Sequence, residues 1–445
     1  MKRLIVFIFP IFLLANIFSN SNVKILKSLD IESEFIKNPK LQEIFNYYYK
    51  YKRAYIYNII NNGYELIPIL KNEIKNSNLP KELVTVAMAE SYMNLEAKSN
   101  KKAVGLWQFM SETARRFGLR IDEYVDERRD VYKSTKAAIE YLKYLHNYFG
   151  KWYLAIMAYN AGEARVVEGV VRAKVDKLCK RLGKNCYKSK TIKKYRKIIK
   201  DYQHFGSKKY TPLYKLYKKL EKVNISLNDL LKYQKGLKRQ YIPKETRKYI
   251  LKVLSISFLY NKEKFSKLAQ EKFEKSISNP TYISINVPAG TSLFYVSKIL
   301  NEPYKKIRNH NLHLNFSFTP PYKYYIYIPA DRLALFNIKF NPRKRKYVFI
   351  YKVKKGDTLL KIAKKFDVKV SIIRSYNKLG KYLRVGEKIF IPLDYKFVKY
   401  RVKKGDSILK IAKKFGISYK KIIKFNNLNS SVIRVGQILK IPQRL

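Results

Sequence analysis

Cysteine is almost missing from this chain: there are two in 445 residues, Cys179 and Cys186. Two thiols cannot frame a disulfide-stapled scaffold, and with no histidine near them they are an incomplete ligand set for structural zinc. In an exported protein the pair suits a disulfide across the intervening turn. Neither lies near the N-terminus, so no lipid-bearing cysteine is expected behind a leader. Long apolar runs are equally scarce. The longest, Leu4 to Ile17, is broken by Pro10 and Asn16 and preceded by Lys2 and Arg3. It is short for a transmembrane helix and suits an export signal over residues 1–20, with an uncleaved anchor as the alternative. Acidic residues are few, 33 against 94 basic, for a formal net charge of +61. That charge reads as attraction to a polyanion or as compositional bias, because lysine is spread along the whole chain. No nucleic-acid recognition motif accompanies it.

What is present is a hydrophobic fraction of 47%, enough for a packed core, and a length that suits two to four domains. An internal repeat organises the C-terminal third. Tyr351–Phe366 reads YKVKKGDTLLKIAKKF and Tyr400–Phe415 reads YRVKKGDSILKIAKKF. Each copy continues to Asn377 or Asn426 and ends in RVGEKIFIP or RVGQILKIP. Val353 and Val402 alternate with polar residues, as in a half-buried strand. A Gly-Asp turn follows, with Thr358 or Ser407 placed to cap a helix. Leu359, Ile362, Ala363 and Phe366 then share one helical face. A weaker copy upstream aligns Val287–Leu293 with Val353–Leu359 and Asn311 with Asn377, with Thr291 in place of the turn Asp.

These copies resemble LysM modules, small βααβ domains that bind N-acetylglucosamine-containing glycans. The resemblance implies a sugar groove at Gly356, Asp357, Thr358 and Leu359 and at Gly405, Asp406, Ser407 and Ile408. The alternative is that the Asp and Thr or Ser side chains serve only the turn and the cap.

Residues 79–270 read as helices. In Leu79–Ser91, Leu83, Val86, Ala87 and Glu90 recur at helical spacing, which puts Glu90 on an apolar face. Desolvation there raises a carboxyl pKa and suits a general acid. The bland alternative is a helix-end Glu turned to solvent or paired with Lys. Further along come Ala103-Val-Gly-Leu-Trp-Gln108, Val125-Asp-Glu-Arg-Arg-Asp130, Ala158-Tyr-Asn-Ala-Gly-Glu163 and Tyr241-Ile-Pro-Lys-Glu-Thr-Arg-Lys-Tyr249. In this order they resemble the lytic transglycosylases, with their lysozyme-like helical fold. The resemblance implies that Glu90 is the catalytic acid and then base, and that Tyr159 directs its hydroxyl at the reacting carboxyl. Ser91, Gly105, Leu106, Trp107, Gln108, Asn160 and Glu245 would bind or position substrate, with Tyr249 near the cleft. For Trp107 core packing is an equal alternative. Asp126, Arg129 and Asp130 read as a structural charge cluster.

The expected fold class is therefore α+β multidomain. A signal (1–20) and a Tyr-rich helical segment (21–78) precede a mainly α lysozyme-like domain (79–270), with a basic surface insertion at 174–210. A degenerate LysM-like module (281–331) and two LysM modules (347–394, 398–443) follow. The resemblance implies an exported monomer that cleaves peptidoglycan glycan strands in the periplasm or cell envelope. It implies no metal or organic cofactor and no nucleic acid, and leaves peripheral membrane contact open. Other readings are a goose-type muramidase hydrolysing the same bond and a wall-binding protein without activity.

Overall fold

The computed structural model describes residues 17–444 apart from 238, 277–280, 343–347, 367, 378, 380–382, 393–394, 427 and 429. Most of the expected signal falls outside these residues. No described helix is long and apolar enough to cross a membrane. The chain forms two compact units. One holds the described residues up to Leu119 with those of Val131–Ser278; the other holds Arg120–Asp130 with those of Asn279–Leu445.

The first unit is helical: α1 (Asn20–Ser28), α2 (Pro39–Tyr51), α3 (Arg53–Gly63), α4 (Leu66–Asn76), α5 (Val84–Ser91), α6 (Ser111–Arg116), α7 (Val131–Phe149), α8 (Trp152–Ala161), α9 (Glu163–Leu182), α10 (Lys190–Phe205), α11 (Tyr210–Lys219), α12 (Leu227–Leu231), α13 (Lys244–Tyr260) and α14 (Glu263–Ser276). Helix α13 is buried nearly all round, including Tyr249, Ile250, Val253, Leu254 and Phe258. A helix without a solvent face belongs at the centre, and α2, α5 and α8 pack around this one. Its start is fixed from α9. Arg165 donates to the carbonyl of Tyr241 (2.6 Å), and the fully buried Glu168 accepts from Arg239 Nε (2.8 Å). Gly169 permits this approach, since a Cβ there would stand 2.4 Å from the Tyr241 carbonyl oxygen.

Two expectations change. Residue 78 is not a boundary, because α2 packs on α13 and α4 packs on α5 and α7. Residues 174–210, expected as a basic surface insertion, are helical and carry buried positions. They complete α9 and form α10, whose buried Ile192, Tyr195 and Ile199 make an apolar stripe that the lysines obscure in the sequence. A disulfide joins Cys179 and Cys186.

The second unit repeats one plan three times. Strands β1 (Tyr282–Val287) and β2 (Tyr324–Pro329) enclose α15 (Leu293–Ile299) and α16 (Tyr304–Asn309), and α17 (Leu333–Lys339) follows. Strands β3 (Val348–Lys352) and β4 (Lys388–Pro392) enclose α18 (Leu359–Phe366) and α19 (Val370–Tyr376). Strands β5 (Tyr395–Arg401) and β6 (Ile438–Arg444) enclose α20 (Ile408–Lys414) and α21 (Tyr419–Asn426). Each strand pair is antiparallel, with Ile285↔Ile326, Tyr351↔Ile389 and Tyr400↔Leu439 in register. An asparagine ties the second helix to the closing strand. Asn311 donates to Tyr327 O (2.8 Å) and accepts from Tyr327 N (2.8 Å), and Asn426 does the same with Lys440 (2.8 and 2.7 Å).

Residues 120–130, expected inside the catalytic domain, fold with the 281–331 module. Asp130 accepts from the hydroxyls of Tyr325 (2.7 Å) and Tyr327 (3.0 Å), and Glu127 from that of Tyr324 (2.6 Å). Asp126 pairs with Arg128 at 2.8 Å, and all four charged residues are buried. Buried carboxylates need such donors, so Val125–Asp130 is a structural cluster.

Asn311 is fully buried. Asn311→Ala would orphan both polar groups of Tyr327 and should cost its module roughly 2–4 kcal/mol. Faster hydrogen exchange at the Tyr327 amide is the expected sign; unchanged exchange and melting would mean the pairing is dispensable.

Candidate active site

Helix α5 is buried at every residue from Val84 to Ala89, all apolar but Thr85, whose hydroxyl donates to the Glu82 carbonyl (2.6 Å), so it is held by packing on all sides. It stops because Tyr92 (φ 56°) and Met93 (φ 62°) enter the left-handed region. Each costs about 1–2 kcal/mol for a non-glycine residue, and such strain gathers at functional sites. Packing offsets it: Met93 is buried against Gly63, where a Cβ would come within 2.7 Å of Met93 Cγ. Asn62 also donates to the Tyr92 carbonyl at 3.1 Å.

This stop leaves Glu90 half-buried on the last turn. The Tyr249 hydroxyl donates to Glu90 Oε1 at 2.7 Å. One turn on, Lys252 Nζ donates to the Ala89 carbonyl at 2.6 Å and lies 5.2 and 5.4 Å from the rings of Tyr55 and Tyr92. Burial pushes the Glu90 carboxyl above its ordinary pKa; the Tyr249 hydrogen bond and the Lys252 charge pull it back, and Glu245 adds to the rise. Burial lowers the Lys252 pKa, while Glu90 opposes the fall. Burial and the nearby Glu90 hold both the Tyr249 and the Tyr159 phenols well above their ordinary value, so both remain donors.

The hydroxyl that meets Glu90 is therefore that of Tyr249. Tyr159, expected in that place, donates instead to the Trp107 carbonyl at 2.7 Å. Leu106 and Trp107 are fully buried, and Trp107 Nε1 donates to Thr135 Oγ1 at 3.0 Å, so their side chains serve the core. Gly105 (φ 83°) and Gln108 (φ 48°) shape the turn, and the Gln108 amide donates to the carbonyls of Gly105 (2.8 Å) and Ala97 (3.1 Å). Ser91 turns its hydroxyl back to the Ala87 carbonyl (3.2 Å). Asn160 accepts from Thr246 at 2.8 Å and so links the end of α8 to the start of α13. Glu245 is exposed, with Lys101 at 3.9 Å. Sequence reasoning missed Lys252, whose i, i+3 spacing from Tyr249 was the available signal.

The two repeat turns match. Asp357 accepts from Lys354 N and the Tyr351 hydroxyl, and Asp406 from Lys403 N and the Tyr400 hydroxyl, each at 2.8 Å. Thr358 and Ser407 cap α18 and α20 through Lys361 N (3.1 Å) and Lys410 N (3.2 Å). Leu359 packs on the core of its module and Ile408 is buried in its own. These side chains thus serve the fold, whereas the backbones of Gly356 and Gly405 are exposed. Gly386 N bonds Val353 O and Gly436 N bonds Val402 O, both at 2.8 Å, bringing the turn before each closing strand alongside. Leu360 and Leu409, in the first turns of α18 and α20, and Val385 and Val435, before the closing strands, are exposed apolar residues that sequence reasoning passed over.

Residues 67–177 match the transglycosylase SLT domain. Residues 351–392 and 400–442 match the LysM domain. An Alteromonas sp. (strain M-1) protein, provisionally named a tributyltin chloride resistance protein, is 43% identical over 103 residues, 23% of this chain and 50% of that protein. Membrane-bound lytic murein transglycosylase D of Escherichia coli (strain K12) is 33% identical over 135 residues, 30% of either chain. The matches thus span at most half the length of these relatives. Among solved structures, the spore cortex-lytic enzyme SleL of Bacillus megaterium QM B1551 is 34% identical over 22% of this chain and 23% of its own, at a TM-score of 0.14, too low to carry an argument about fold.

The charges around Glu90 predict opposite shifts. Lys252→Met removes a cation that favours the carboxylate and should move the Glu90 pKa further up; Glu245→Gln removes an anion and should move it down. Titration of the Glu90 carboxyl by carbon NMR would read both, and shifts of the same sign would contradict this electrostatic arrangement.

Proposed function

We propose that the protein is a lytic transglycosylase of the cell envelope. In this reading it cleaves the β-1,4 bond between N-acetylmuramic acid and N-acetylglucosamine in peptidoglycan and leaves 1,6-anhydromuramoyl ends. The two LysM domains hold it on the glycan, and the N-terminal apolar segment directs its export. The observation that carries the reading is one half-buried carboxyl, Glu90, with a raised pKa and a phenol donor at 2.7 Å. It lies within the segment matching the transglycosylase SLT domain.

In the reaction, protonated Glu90 donates to the glycosidic oxygen, O4 of N-acetylglucosamine, as the bond to C1 of the muramoyl residue breaks. The Tyr249 phenol stabilises the carboxylate that results. That carboxylate takes the proton of the muramoyl C6 hydroxyl, whose oxygen attacks C1 and closes the anhydro ring. Glu90 ends protonated, as it began. A hydrolase would need a second carboxylate to activate water. Of the candidates, Glu96 and Glu245 are exposed, and Asp122 accepts from Arg120 (2.6 Å) and from the amides of Tyr124 and Val125. The tethered hydroxyl has the advantage of intramolecular geometry over water.

Digestion of purified peptidoglycan followed by mass spectrometry tests this. Muramoyl ends lighter by one water than hydrolytic ends, and resistant to borohydride, are expected; reducing ends as the main product would favour hydrolysis. Glu90→Gln should lower turnover by on the order of 10²–10⁴-fold or more while wall binding persists.

The repeats make a separate prediction. Leu360→Glu with Leu409→Glu places charge on exposed apolar positions, so folding should be unaffected. Retention on insoluble peptidoglycan should weaken while turnover of short soluble glycan stays level, since linked modules act through effective concentration. Undiminished retention would place the glycan contact elsewhere.

A further inference from the structure

A row of tyrosines leads away from Glu90. The ring of Tyr92, at the end of α5, lies 4.2 Å from that of Tyr55 on α3. Tyr55 lies 5.2 Å from Tyr48 on α2, Tyr48 lies 5.7 Å from Tyr47, and Tyr47 lies 6.1 Å from Tyr51. Tyr92, Tyr47 and Tyr51 are 42%, 46% and 75% exposed, so much of the row faces solvent. Cations border it: Lys252 beside Tyr55 and Tyr92, and Lys52 Nζ at 5.9 Å from the Tyr47 ring. Helices α2 and α3 precede residue 67, where the SLT match begins, so four of the five tyrosines lie outside the matched domain.

Packing alone accounts for Tyr48 and Tyr55, which are half-buried between helices. It does not account for exposed rings in a chain of contacts that reaches Tyr92, two residues after Glu90. Tyrosine offers a rigid apolar face with a polar tip at low entropic cost. A sugar is its complement, with apolar C–H faces and hydroxyl edges. Ammonium groups beside the rings suit the carboxylates of muramoyl lactyl groups and peptide stems.

We propose that the exposed Tyr92, Tyr47 and Tyr51, linked through the packed rings of Tyr55 and Tyr48, form an extended glycan subsite, which takes the sugars of a peptidoglycan strand beyond the bond at Glu90. The proposal rests on the reading of Glu90 as the catalytic group, and it makes the enzyme favour long strands over short ones.

The test compares the full-length protein with Tyr47→Ala/Tyr51→Ala and Tyr47→Phe/Tyr51→Phe variants. Both positions are exposed and outside the machinery around Glu90. On long soluble glycan strands the alanine pair should show a roughly three- to tenfold higher KM with kcat unchanged. On short glycans neither parameter should move, and the phenylalanine pair should stay near wild type. Unchanged KM on long strands, or equal loss on both substrates, overturns the subsite. A wild type that cuts neither substrate refutes the catalytic reading instead. Titration of soluble strands then decides the subsite: weaker binding by the alanine pair upholds it, and equal binding removes it.

Discussion

The first unit depends on keeping one carboxyl largely out of water without pairing it to a cation through a hydrogen bond. A carboxylate so placed would be costly, and the cost appears as a preference for the protonated acid. Asp122, Glu168, Asp229 and Glu302 show the contrast. Burial pushes each of them up as well, yet N–H donors and cations hold them below the ordinary carboxylate range. Glu90 goes the other way because its strong donor is a neutral phenol and its nearest ammonium is engaged by the Ala89 carbonyl. That difference separates a carboxyl shifted toward its protonated form from carboxylates that only hold the fold.

Several parts of the chain serve that placement. Helix α5 is buried from Val84 to Ala89, which keeps water from the turn that carries Glu90. Helix α13 is central, which brings Tyr249 and Lys252 to the end of α5 from 159 and 163 residues away. The Glu168 cluster and Gly169 set where α13 begins. The strained Tyr92 and Met93 end α5 one turn after Ala87 and are themselves held by Gly63 and Asn62.

Local pattern revealed what depends on local pattern. The apolar spacing around Glu90 identified the carboxyl, and the repeated Gly-Asp-Thr and Gly-Asp-Ser turns identified two modules whose hydrogen bonds agree to within about 0.1 Å. What remained hidden depends on long-range pairing. Which tyrosine meets Glu90 cannot be read from Tyr159 or Tyr249 locally, because both are aromatic residues on helices that reach the same end of α5. The placement of residues 120–130 with the 281–331 module is hidden for the same reason. Its three tyrosines sit on the closing strand β2, and their partners lie nearly 200 residues upstream.

The scarcity of acidic residues then has a structural meaning. Glu127, Asp130, Asp126 and Glu168 are buried and hydrogen-bonded by tyrosine or arginine, so they offer little negative charge to solvent. The lysines remain on exposed helix faces such as those of α10, α18 and α20. The outward field is therefore more uniformly basic than a net charge of +61 alone requires. Such a field raises the encounter rate with any polyanion and cannot choose among them. Choice has to come from shaped sites, and under the proposed function those are the exposed apolar residues of the repeats and the tyrosines near Glu90. In that reading charge brings the protein to an anionic polymer, and aromatic and apolar surface selects the sugar.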